Sequence, residues 1–289
     1  MKRTNPAYFT LSALVCAGVV YAADLIFWTN PSTGFASEGE AWVRHAVLAL
    51  LSIVCGFGRS ALGPMAVATL RVRSRGLSTM FTLSALMGFL YGAVCLLYWQ
   101  GQIYRAVLGA FNLWYGVWAL MVGIQMREQQ SPTPTKNVLG GILAAVPFCI
   151  QTAYRVLVNP SSLHRMGPFL SILSSLFAML WMGVLLRALY IALVRVRAKW
   201  MYYFGMLVFL FSLLELVQTG YSLAKGPVPL PAILESLHMF MFGLVTAGVS
   251  VSLASKKKLP VAQGSLSGKN WQQGKSEAGP RGPGPEKRE

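Results

Sequence analysis

Acidic residues are scarce in this sequence: nine Asp and Glu stand against 25 Lys and Arg in 289 residues, and charged residues make up only 12% of the chain. An ordinary soluble domain carries about a quarter charged residues. With 55% of its residues hydrophobic, the chain cannot hide its apolar surface in a single aqueous core. Cysteine is also sparse. Cys16, Cys55, Cys95 and Cys149 are dispersed, with neither a CxxC nor any other ligand spacing, so no disulfide framework is expected and they read as small hydrophobes in a helical core. The sequence has no HExxH and no GxSxG, and its only Asn-x-Ser triplets, Asn30-Pro31-Ser32 and Asn159-Pro160-Ser161, are excluded as glycosylation sites by their proline. A retinal protein would need a lysine inside its last span, and none precedes Lys256 there. No cofactor is indicated.

What the sequence does have is long apolar runs. A hydrocarbon layer about 30 Å thick takes roughly 20 apolar residues per helix, and such runs recur at about 8–29, 41–60, 78–99, 103–126, 138–158, 168–194, 200–223 and 230–253. The fold class expected is therefore all-α: a polytopic transmembrane helical bundle of about eight spans. Trp28, Trp42, Trp99, Tyr104, Trp200, Tyr202 and Tyr203 fall near the span ends, where amphipathic rings partition. Lys2 and Arg3 followed by an apolar run and Ala22-Ala23 resemble a signal peptide, but the run continues through Trp28, which favours a retained first span. Gly63-Pro64 should break the second run, leaving a short interfacial segment before Arg71.

The net charge of +16 would point to nucleic acid in a soluble protein, but here its placement argues otherwise. Basic clusters occur at Lys2 and Arg3, at Arg71, Arg73 and Arg75, at Arg127 and Lys136, at Arg195, Arg197 and Lys199, and at Lys256, Lys257 and Lys258. These are every second loop, the positive-inside pattern, which puts both termini on the cytoplasmic side of a cell membrane. The partners expected are the lipid bilayer, with anionic headgroups at the cytoplasmic face, and no nucleic acid. Residues 1–255 form the membrane domain. Residues 256–289, rich in Gly, Pro, Ser, Lys and Glu, read as a disordered basic cytoplasmic tail.

Ionisable residues inside the spans are the most informative, because each costs about 2.5–3.5 kcal/mol to insert. Asp24, Glu215 and Glu235, with Arg44, Arg105 and Arg155 and the imidazoles of His45 and His238, all fall in the outer half under this topology. The expectation is one nearly neutral network around a polar cavity. Residues three, four or seven apart share a helix face, which aligns Glu235 with His238, aligns Ser212, Glu215, Thr219 and Ser222, and sets Gln151 and Arg155 on the face of Pro147. The candidate residues are Glu215, Arg155, Glu235, His238, His45 and Asp24.

Snorkelling of Arg44, Arg105 and Arg155 to the interface, and interhelical pairs acting as glue worth about 0.6 kcal/mol, are the plainer readings of the same residues. His45, His238 and a carboxylate have the chemistry of a zinc ligand set, but no spacing demands one, and no metal is expected. Three functional readings follow. In the first, a transporter or small-molecule-binding protein uses Glu235 and His238 for protons and Arg155 to hold an anionic group. In the second, a sensor or accessory subunit acts through a membrane partner. In the third, an intramembrane enzyme works on a lipid-linked substrate.

Overall fold

The computed structural model describes residues 6–30, 41–57, 75–128, 138–158, 166–190 and 198–255. The tail from 256 onward, the segment around Gly63-Pro64 and most of the expected basic loops lie outside the described residues. Eight helices make up the described chain: α1 (Pro6–Phe27), α2 (Ala41–Phe57), α3 (Arg75–Leu97), α4 (Ile103–Arg127), α5 (Val138–Val158), α6 (Met166–Tyr190), α7 (Ala198–Lys225) and α8 (Leu230–Ser255). All but α2 are long and apolar enough to cross a membrane. The 17 described residues of α2 reach about 25 Å at 1.5 Å per residue, short of a full hydrocarbon layer. The chain is thus a multi-pass helical membrane protein.

Local signals explain where the helices begin and end. Pro6 opens α1, where a missing N–H costs nothing and the fixed φ suits a helix. At the end of α7 the Gly226 N–H donates to the Ser222 carbonyl at 3.1 Å, and Pro227 then forbids continuation. The turn between α3 and α4 is built on two left-handed residues, Gln100 (φ 42°) and Gly101 (φ 78°), and is closed by the Gln102 N–H on the Trp99 carbonyl at 2.7 Å. Helix α5 runs through Pro147 without interruption.

The six helices α3 to α8 form a closed ring, each packing on the next and α8 returning to α3. Helix α1 lies outside this ring against α7 and α8, and α2 packs on α1 and α7. Tyr115, Phe148, Trp181 and Phe242, all essentially inaccessible, fill the ring's centre. Large apolar side chains such as Phe9, Val19, Ile26, Leu50 and Leu157 are turned outward. An outer surface of this kind suits lipid.

Gly88, Gly92, Gly116 and Gly123 sit in the α3–α4 contact, where an added Cβ would meet Tyr115, the Gly109 carbonyl, Phe89 and the Ser78 carbonyl respectively. The cysteines divide. Cys55 and Cys95 are buried as expected, but Cys16 and Cys149 are exposed, because they lie on outward faces of α1 and α5 rather than in the core.

Candidate functional site

Consecutive helices run in alternating directions, so one end of the bundle collects the C-terminal ends of α1, α3, α5 and α7 and the N-terminal ends of the other four. The intramembrane charges gather at this end. On α5, Gln151 and Arg155 share the buried face of Pro147, which carries the guanidinium inward. Its Nη2 donates to Glu215 Oε1 on α7 at 2.8 Å and to Glu235 Oε1 on α8 at 2.7 Å. Its Nη1 donates to the Ser171 carbonyl and, at 3.3 Å, to Ser174 Oγ on α6. Ser174 Oγ in turn donates to Glu215 Oε2 at 2.5 Å. Four helices of the ring are therefore tied by one guanidinium.

Side-chain exposure is 6% for Arg155 and 9% for Glu215 but 28% for Glu235, which makes Glu235 the member that meets the surroundings. It does so in a cavity of about 330 Å³ lined by the triad, by Tyr91, Tyr104 and Tyr154, and by the polar side chains of Gln151, Gln218, Thr219 and Ser236. Tyr104 and Tyr154 stack with ring centroids 3.7 Å apart. Thr219 and Ser236 share a hydrogen bond of 2.7 Å. Among the described residues the wall sets two carboxyl groups against one guanidinium.

The remaining predicted residues lie elsewhere. Asp24 pairs with Arg44 at 2.9 Å across α1 and α2, and Arg44 also donates to the Trp28 carbonyl and to Thr29 Oγ1. His45 stacks on Phe169, with centroids 5.0 Å apart, and neither of its ring nitrogens has a hydrogen-bond partner among the described residues. His238 is fully buried. Although it lies one turn from Glu235, it points into an aromatic box of Tyr91, Tyr115 and Phe148, again with both nitrogens unpartnered. Arg105 stays at the rim, bonded to Tyr104 Oη and the Tyr98 carbonyl.

Three sequence-based expectations are corrected by this geometry. The charges do not form one network. They divide into the Arg155 triad and the Asp24–Arg44 pair, because α1 and α2 lie outside the ring that encloses the triad. Arg155 does not snorkel, since its helix face turns inward. Nor does it stand free for an anion, because both Nη groups are occupied by protein acceptors. The residues missed were Ser174, Tyr91, Tyr104 and Tyr154. Ser171, Ser174 and Ser175, grouped in the first half of α6, were the available signal for the first. Among the described residues no three His, Cys, Asp or Glu side chains come close enough to hold a metal ion.

The fold defines the class, a multi-pass helical membrane protein, but comparison goes no further. No family model, curated protein or solved structure matches the chain.

A buried imidazole without partners forfeits its hydrogen bonds to water and gains none, a penalty of about 1–3 kcal/mol. We expect His238→Phe, which keeps the ring and removes both nitrogens, to raise stability by about 1 kcal/mol, read as a higher thermal unfolding midpoint in detergent. A lowered midpoint would mean that the imidazole makes a polar contact in solution.

Proposed function

We propose that this chain is a small-molecule-binding membrane protein of the transporter type, residing in the cell membrane, with its site in the cavity lined by Arg155, Glu215 and Glu235 in the outer half of the bilayer. The observation that carries this reading is a buried ion triad that lines a cavity instead of being sealed by packing. Interhelical glue spends its polar groups on neighbouring helices, yet Glu235 keeps 28% of its side chain exposed. Intramembrane charges that border a cavity mark solute or ion paths more often than structure, and the volume of about 330 Å³ lies at the small end of ligand pockets, which run from about 300 to 1,000 Å³. The positive-inside charge pattern supports the outward orientation of this end.

The test is uptake into proteoliposomes, with an inward proton gradient and a panel of labelled amines, carboxylates and sugars. Glu215→Gln removes one carboxylate and leaves Arg155 paired one-to-one with Glu235, so the variant should still fold and elute as the parent does. We expect at least one solute to accumulate over empty liposomes, and its initial rate to fall by roughly tenfold or more in the variant, the equivalent of about 1.4 kcal/mol. Equal rates in parent and variant, or no accumulation of any solute, would sink the reading.

A further inference from the structure

We propose that the cavity takes a protonated amine rather than an anion. The inference rests on the solute-binding reading above and names its class of solute.

Charge is the first argument. Among the described residues, the Arg, Lys, His, Asp and Glu side chains on the cavity wall are Arg155, Glu215 and Glu235, one guanidinium against two carboxyl groups. The four Nη hydrogens of Arg155 are engaged by Glu215, Glu235, the Ser171 carbonyl and Ser174 Oγ. An incoming carboxylate or phosphate would meet two like charges and a guanidinium already committed, while a cation would meet the unbalanced charge.

Hydrogen-bonding capacity is the second, independent argument. Gln151 is 2% exposed and lines the cavity, and its Oε1 has no partner. A buried acceptor left unmatched is costly, and Gln151 Oε1 is one; Glu235 spends Oε1 on Arg155 and, with 28% of its side chain exposed, offers acceptor capacity to the cavity beside it. An alkylammonium supplies three N–H donors and no acceptor, the complement of this wall. A cation bearing N–H can donate to these oxygens and a quaternary ammonium cannot, which separates a primary amine from a quaternary one.

The third argument is the aromatic lining. Tyr91, Tyr104 and Tyr154 border the cavity together, and tyrosine rings attract cations through their negative faces. The volume of about 330 Å³ accommodates a small amine with a short organic body.

The experiment uses the full chain purified in detergent, titrated by calorimetry with three probes of similar shape: phenethylammonium, its N-trimethyl analogue and phenylacetate. Phenethylammonium is expected to bind roughly tenfold or more tightly than either of the others, and to lose roughly tenfold in Glu235→Gln. Gln151→Leu should weaken it several-fold, which serves as the readout should Glu235→Gln fail to fold. The comparison of probes on the parent protein needs no variant at all. Phenylacetate binding as tightly as the amine would overturn the amine assignment and leave the solute-binding reading standing. Equal binding of the trimethyl analogue, or unchanged amine affinity in Glu235→Gln, would also overturn it. If none of the three binds, the amine assignment falls, and the uptake panel decides the solute-binding reading separately.

Discussion

Arg155→Met is expected to cost about 3–5 kcal/mol of stability, the range for removing one partner of a buried ion pair, and to show as a thermal unfolding midpoint well below that of the parent protein. Methionine fills much the same space as the arginine stem, so the loss comes from the charge and its hydrogen bonds rather than from a cavity. Glu215, with 9% of its side chain exposed, would keep only the Ser174 hydroxyl, and the Ser171 carbonyl would lose its charged donor and keep the hydroxyls of Ser174 and Ser175. The two carboxylates would also face each other with nothing between them. Arg155→Lys should fall between, because one ammonium carries the charge but not the two-sided fork that reaches Glu215, Glu235 and α6 together.

The same reasoning predicts recovery. Breaking a buried ionic cluster is costly, whereas replacing the whole cluster with neutral groups is often nearly free. Arg155→Met combined with Glu215→Gln and Glu235→Gln should therefore regain most of the lost stability. A single variant within about 1 kcal/mol of the parent, or a triple variant no more stable than the single one, would show that the triad is not the junction of α5, α6, α7 and α8 that the geometry describes.

The residues of the triad were legible in the sequence because a charge in hydrocarbon is rare enough to count and helical spacing then assigns it a face. Glu215 and Glu235 could be placed at one depth on neighbouring hairpin helices, and the Pro147–Gln151–Arg155 stripe gave the face of α5. Which helices would meet was not legible. Spacing is a property of one helix, and the closure of α8 onto α3 depends on side-chain shape across the whole ring. That is why Asp24 and Arg44 were drawn into the same network although α1 and α2 pack outside it. It is also why the fate of His238 was missed. Three residues from Glu235, it shares a stripe but lies nearly one turn deeper, and at that depth the ring is filled by Tyr115, Phe148 and Phe242 instead of being open.

Hydropathy recovered all eight helices of the described chain, because an apolar run of this length is decisive, and of α2 the described part is Ala41–Phe57. Its polar and small residues, His45, Ser52 and Gly56, suit a helix leaning on a neighbour: Ser52 bonds back to the Leu48 carbonyl at 2.8 Å, His45 stacks on Phe169, and Gly56 lies against Tyr203.

Gly109→Leu is expected to lower stability by about 3 kcal/mol, the upper part of the usual range for overpacking, whereas Gly183→Ala should raise it by about 0.8–1 kcal/mol. Both are glycines inside long apolar helices, and sequence alone would treat them alike. At Gly109 an added Cβ would stand 2.8 Å from the Gly92 carbonyl, and at Gly92 one would stand 2.9 Å from the Gly109 carbonyl. The obstruction in each case is backbone, which cannot swing aside as a side chain does. Either α3 and α4 separate or the closest contact in their interface is strained, and separation would reach Ser84 and Tyr115, whose hydroxyls bond at 2.7 Å across the same two helices. Gly183 on α6 is exposed, and a methyl added there would meet nothing within 4 Å, so alanine contributes only its better helix propensity. The two unfolding midpoints, measured side by side in one detergent, should move in opposite directions. A Gly109→Leu variant as stable as its parent would mean that the α3–α4 seam is looser than backbone contact at Gly92 and Gly109 implies.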